Sequence, residues 1–121
     1  MNIGIVSGSI IYLGKLSYKE GIAFLEIIVR TDSPHPGRGQ SLRVTLSGKF
    51  AATADMWVKK DDWVCLAGMY EFPNKVQRGI LHVGDDIPFS SIKSSPNRRP
   101  LKRCFTRFMD ELGDTNYEFY R

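Results

Sequence analysis

The side chains best equipped for chemistry are scattered along this 121-residue chain. Its two cysteines, Cys65 and Cys104, and its two histidines, His35 and His82, fall at no metal-ligand spacing. The pairs Asp61-Asp62 and Asp85-Asp86 are neighbours in sequence, so their carboxylates need not converge. Aspartate pairs of this kind belong to ordinary turn chemistry. The serines lie in strand-like or linker-like stretches, none in a nucleophile elbow, and no GxxxxGK[ST] phosphate loop is present. A hydrolase needs a nucleophile, a base and an oxyanion donor brought together. The sequence offers no such set and reads as a non-enzyme without metal or cofactor. Two cysteines make no disulfide framework and read as buried thiols in a reducing compartment.

What remains is a set of cations and aromatics, and the elements that would position them. Residues 2–12 alternate loosely and are rich in Ile and Val, as a strand should be, with Gly8 marking a bend or bulge. Tyr18, Lys19, Glu20 and Gly21 give a hairpin signal, and 22–31 is the second strand. Residues 31–40 hold two prolines and two glycines and read as a loop. Leu42, Val44 and Leu46 then alternate with Arg43, Thr45 and Ser47, the pattern of a half-buried third strand. Phe50, Ala54, Trp57 and Val58 recur at helical spacing among alanines, so 50–58 predicts a short helix. Residues 63–72 read as strand four, Pro73-Asn74-Lys75 as a turn and 79–89 as strand five.

Further along, 91–100 reads as a linker. Pro100 suits a first helical turn. Leu101, Cys104, Phe105, Phe108, Met109 and Leu112 then keep a helical period until Gly113 stops it. Lys102 and Arg103 near the start of this helix, and Asp110 and Glu111 near its end, oppose the helix dipole, which suggests that these charges meet a partner. The formal charge of +4 is unevenly spread. Residues 1–90 carry ten basic and nine acidic side chains, residues 91–107 carry six basic and no acidic ones, and residues 108–121 sum to −3. No apolar run has the length of a membrane helix, and the N-terminus lacks the basic start of a secretory signal. The expected setting is intracellular, in a bacterial cytoplasm or nucleoid or an organelle matrix.

The order of these elements, from NIGIVSGSI through Leu16-Ser17-Tyr18, SLRVTLSGKFAATADMWV and VCLAGMY to Gly84-Asp85-Asp86-Ile87-Pro88-Phe89, resembles the single-stranded DNA-binding (SSB) family on an OB-fold barrel, from about residue 2 to residue 89. The resemblance implies a mainly all-β chain. Residues 1–90 would form a five-stranded OB barrel with a short helix between strands three and four, closed by its last strand at 84–89. Residues 91–121 would add a basic linker, an amphipathic helix and an aromatic tail. The chain departs from the family at Ser41 and Ser47, where base-stacking aromatics are usual, and at Ser17, where a basic residue is usual. It ends in Asn116-Tyr117-Glu118-Phe119-Tyr120-Arg121 in place of an acidic tail with a Pro-Phe tip. The Asp-Asp-Ile-Pro-Phe string at 85–89 resembles that tip but reads as a strand end.

OB barrels bind single strands by tracking phosphates with cations and stacking bases on aromatics. Strand parity sends Ala23, Leu25, Ile27 and Val29 inward. It sends Phe24, Glu26, Ile28 and Arg30 outward, with Ser41, Arg43, Thr45 and Ser47 of strand three and Trp63, Cys65, Ala67 and Met69 of strand four. The stacking candidates are Phe24, Trp63, Tyr70 and Phe72, and the phosphate candidates Lys15, Lys19, Arg30, Arg38, Arg43, Lys75 and Arg78. Trp63 and Phe72 suit core or interface packing equally well, and Phe24 and Ile28 suit a protein interface. Arg98, Arg99, Lys102, Arg103 and Arg107 form a basic tail. Leu101, Phe105, Phe108, Met109 and Leu112 give the helix a partner face. Two functions compete. One is SSB-like binding of single-stranded nucleic acid, DNA ahead of RNA, in replication, repair or recombination, by a homo-oligomer. The other is an architectural OB subunit of a larger nucleic-acid-processing assembly, resembling primosomal replication protein N or subunits of organellar RNA-processing complexes.

Overall fold

The computed structural model describes residues 2–32 and 39–96, together with the backbone of 117–119. Alternating apolar residues build most of the strands: β1 (Ile3–Leu13), β3 (Ile22–Thr31), β4 (Ser41–Ser47), β5 (Trp63–Glu71) and β6 (Ile80–Val83), with the short β2 (Ser17–Lys19) folded back on β3. The helix α1 (Lys49–Trp57) lies between β4 and β5. β7 (Ser91–Ser95) comes after β6, and β8 (Tyr117–Phe119) pairs parallel to β7.

Five strands close into a barrel. β1 pairs antiparallel with β3 along its second half and with β5 along its first. β3 pairs with β4, β4 runs parallel to β6, and β6 returns to β5. The inward residues behave as their parity dictates: Ala23, Leu25, Ile27 and Val29 join Val44, Leu46, Val64, Leu66, Leu81 and Val83 in one core. Phe50, Ala51 and Ala54 of α1, with Val58, pack into the same core.

Gly8 sits where β1 passes from one partner to the other, in register with Thr31 and with Val64. A Cβ there would collide with the Arg30 carbonyl, so only glycine permits the approach. The register then slips between Ile10 and Tyr12, a bulge that bends the strand onward into its pairing with β3.

Two expectations for the end of the barrel are corrected. The segment 79–89 is not one closing strand: β6 ends at Val83 and 84–89 is a turn. The cause is visible at Asp85. Gly48 precedes α1 with φ 65 and has no side chain to cap it. Instead, the Lys49 backbone N–H donates to Asp85 Oδ2 at 2.8 Å. Reaching the helix terminus draws Asp85 out of the sheet, while Ser90 Oγ accepts the Gly84 N–H at 3.0 Å and closes the excursion.

The second correction is that 91–95, read as linker, is the strand β7. It pairs antiparallel with β5 from Trp63↔Ser95 to Ala67↔Ser91. Backbone pairing does not depend on side-chain type, and Ile92 supplies the one apolar side chain that the core requires there. The amphipathic helix expected at 100–112 and the basic tail residues lie outside the described residues.

Asp85 holds α1 from 36 residues away. Asp85→Ala is expected to lower stability by about 1 kcal/mol, read as a shifted urea midpoint with an unchanged slope. No shift would show that the helix terminus is satisfied by solvent.

Candidate nucleic-acid interface

The outward side chains of β3, β4 and β6 form a face whose rows are set by the register. Tyr12, Ile28, Arg43 and Ile80 make one row across four strands. Glu26, Thr45 and His82 make the next, and Phe24 and Ser47 lie beyond it. Arg30 and Ser41 stand at the opposite end. Charges on this face are tied to one another. Arg43 Nη2 donates to Glu26 Oε2 at 2.7 Å, with both side chains about half exposed. His82 Nε2 lies 2.7 Å from Glu71 Oε2.

The loop 72–79 rises beside this face. Asn74 Oδ1 accepts the N–H groups of Val76 and Gln77 at 2.9 and 2.8 Å, and Asn74 N–H donates to the Gln77 carbonyl. This local closure folds the loop back, so that Val76, Gln77 and Arg78 face Ile28, Ser41 and Arg43 across a groove of about 280 Å³. Lys75 and Arg78 are exposed, and Phe72 is 62% exposed with its ring edge-on to Tyr70 at 5.2 Å and 85°. The groove is lined by the apolar Ile28, Val76 and Ile80 together with Arg43 and Arg78.

The structure places the other sequence candidates around this groove or away from it. Lys15 is exposed in the connection between β1 and β2, next to Gly14, whose N–H bonds the Glu26 carbonyl. Arg30 is exposed on the face. Arg38 lies outside the described residues. Phe24 is half-buried in a second hollow of about 510 Å³, lined also by Ile22, Ala52, Asp85 and Asp86. Lys49 lines the same hollow beside those two carboxylates. Tyr70 points inward against the core, and its hydroxyl meets Gly79. It is partly buried and meets Phe72 edge-on.

Trp63 is 2% exposed, which removes it from stacking. It has the outward parity expected, yet it is buried with Cys65, Ala67 and Ile5. Its indole N–H donates to Asp32 Oδ2 at 2.9 Å, and the Ser7 hydroxyl donates to the same oxygen.

One exposed aromatic is not apparent from strand parity. Tyr12 is 50% exposed and stands beside Ile28. Unbroken alternation from Ile10 would put Tyr12 inside; the bulge at Ile11 turns it out. Gly8 signals a bend in this strand, but not the residue at which the register slips.

No protein-family model and no curated protein matches the sequence. Solved structures do match. The second single-stranded DNA-binding protein of Mycobacterium smegmatis superposes with a TM-score of 0.64 at 16% identity, over 85% of this chain and 92% of that one. The SSB domain of a Synechococcus sp. protein gives 0.57 at 23% identity, over 68% and 89%. The protein priB of Ralstonia solanacearum gives 0.54 at 13% identity, over 68% and 91%. The fold is an SSB-like OB barrel. At these identities the likeness speaks for the architecture.

The two tryptophans report separately on this geometry. A Trp57→Phe chain, left with buried Trp63, is expected to emit at short wavelength and resist iodide. A Trp63→Phe chain, left with Trp57 at 46% exposure, is expected to emit further to the red and quench readily. Equal quenching of the two would contradict the burial of Trp63.

Proposed function

We propose that this protein binds single-stranded nucleic acid, DNA ahead of RNA, in the groove between the β3–β4–β6 face and the loop 72–79. The observation that carries the reading is the groove itself, which Arg43 and Arg78 line together with Ile28 and Ile80. Arg30, Lys75 and Lys15 extend the cationic path, and Tyr12 and Phe72 are the exposed aromatics nearest to it. A stacked base contributes roughly 1–3 kcal/mol. Two platforms on a nearly neutral barrel support modest, salt-sensitive binding. The likeness to SSB domains supports the same reading, with the protein a binding module and not an enzyme. The sequence carries five further cations beyond β7, Arg98, Arg99, Lys102, Arg103 and Arg107. Homo-oligomerisation and a role in replication, repair or recombination complete the proposal.

A second reading, an architectural subunit working through protein contacts, is favoured by one feature. Tyr18, Ile22, Met56 and Trp57 expose apolar surface away from the groove, at 46–74%. Unpaired apolar surface of this kind marks contact with other proteins.

Anisotropy of end-labelled oligo(dT) and oligo(U) separates the two. Intrinsic tryptophan quenching is a poor readout here, because neither tryptophan lines the groove. A binder is expected to show a log–log salt slope of about −2 to −3, near −0.7 for each neutralised phosphate. Arg78→Ala is expected to weaken binding and to make the slope shallower by about 0.7. Glu26→Gln removes a negative charge beside Arg43 while keeping a hydrogen-bond acceptor, and is expected to tighten binding. Silence towards every oligonucleotide at low salt would favour the subunit reading. Binding that ignores both substitutions would move the site off this face.

A further inference from the structure

Histidine is the side chain whose charge changes between about pH 5 and pH 8, and His82 stands on the binding face. It points outward from β6, two residues past Ile80, which lines the groove. A strand rises about 3.3 Å per residue, so the two positions lie roughly 7 Å apart on one face. Thr45 is opposite His82 on β4 and Met69 is opposite it on β5, and neither can hold a proton. The ionisable partner is Glu71, in register with Ile80, whose Oε2 lies 2.7 Å from His82 Nε2. The pair is open to solvent, with 27% of the histidine side chain and 47% of the glutamate side chain exposed.

That contact decides which ring nitrogen can gain a proton. An ionised carboxylate only accepts hydrogen bonds, so Nε2 carries the hydrogen shared with Glu71 and Nδ1 keeps a lone pair. Protonation therefore goes to Nδ1, turns an acceptor into a donor, and cancels the charge of Glu71. The other charges around the ring are committed elsewhere or stand at the ends of β6. Glu26, beyond Thr45 on β3, is bound to Arg43. Past the end of β6, Asp85 accepts the Lys49 N–H, and Asp86 lines the same hollow as Lys49. Arg78, ahead of β6, lines the groove.

We infer, on the reading that this face binds single strands, that His82 contacts a backbone phosphate in its protonated form, with Glu71 holding the ring, so that a strand and one proton bind together. Neutral His82 leaves the Glu71 carboxylate uncompensated beside Ile80, where it repels phosphate. The imidazolium removes that repulsion and presents Nδ1–H to a phosphate oxygen, a charge-assisted hydrogen bond. The proton comes from solvent, and no covalent bond is made or broken in the strand. Linkage makes the effect reciprocal: acid favours binding, and binding draws in protons.

A full-length His35→Gln chain keeps His82 as its only histidine. Anisotropy of end-labelled oligo(dT) at fixed ionic strength is expected to show binding roughly fivefold tighter at about pH 5.5 than at about pH 8, a window in which ordinary carboxylates stay ionised. The log–log salt slope is expected to steepen by about 0.7 at the lower pH. Adding His82→Gln, which keeps a donor for Glu71, is expected to hold the affinity at its alkaline level throughout. Binding equally tight at both pH values would overturn the inference and leave the binding face standing, as would a pH dependence that survives His82→Gln. Absence of binding at every pH would remove the face and the inference together. Should the His82→Gln chain fail to fold, calorimetry of the His35→Gln chain near neutral pH, in two buffers of different ionisation enthalpy, decides. Uptake of a fraction of a proton for each strand bound supports the inference; no uptake overturns it.

Discussion

One strand has to serve two partners, and the rest of the molecule depends on how it does so. A sheet edge left open carries unpaired N–H and C=O groups, and this barrel removes its edges by giving β1 to β5 along one half and to β3 along the other. No straight strand can do this. The turn is made at Gly8, where the Arg30 carbonyl occupies the space of a side chain, and at the bulge between Ile10 and Tyr12. The bulge reverses side-chain parity in the remainder of the strand, so Tyr12 leaves the core and joins Ile28 and Arg43 outside. The exposed tyrosine of the proposed site is therefore a by-product of ring closure.

A second long-range constraint operates at the opposite end. The helix α1 starts after a glycine that cannot cap it, and the missing acceptor comes from Asp85. Gly48 is needed twice over, for its positive φ and because a Cβ would strike that same carboxylate. Holding Asp85 at the helix interrupts the last barrel strand, which is why β6 is short and β7 resumes along β5 after the excursion. The string that looks like a recruitment tip or a closing strand is a clasp between sheet and helix.

These two constraints separate the parts of the fold that are legible in the sequence from those that are not. The inward sets of β3 and β4 are plain because their period is unbroken and their faces differ in polarity. The helix is plain because alanine and apolar spacing agree. Residues 84–95 are opaque because their conformation is decided by a contact 36 positions distant and by backbone pairing that three serines and a lysine do not advertise. In the proposed site, parity and turn position are enough to turn Arg43, Arg78 and Phe72 outward. They are not enough for the burial of Trp63, which parity turns outward and which packs with Cys65, Ala67 and Ile5, or for the exposure of Tyr12, which depends on a single inserted residue.

The electrostatics of the face then decide what sort of binder this barrel is suited to be. Arg43 uses one of its donors on Glu26, and a guanidinium has five. The pair therefore does not remove the arginine from service; it fixes the direction of its remaining donors while leaving a negative charge close to any incoming phosphate. Exposed pairs of this kind are weak, so the carboxylate does not lock the site. It tunes it. Added salt screens the phosphate attraction and the carboxylate repulsion together, and the second partly offsets the first. Asp85 and Asp86 stand with Lys49 at the far end of the same face, while the cations of the proposed path gather at its Arg30–Arg78 end. The proposed path is therefore a short stretch, and in that reading affinity for long strands would have to come from several copies acting together or from the basic residues beyond β7.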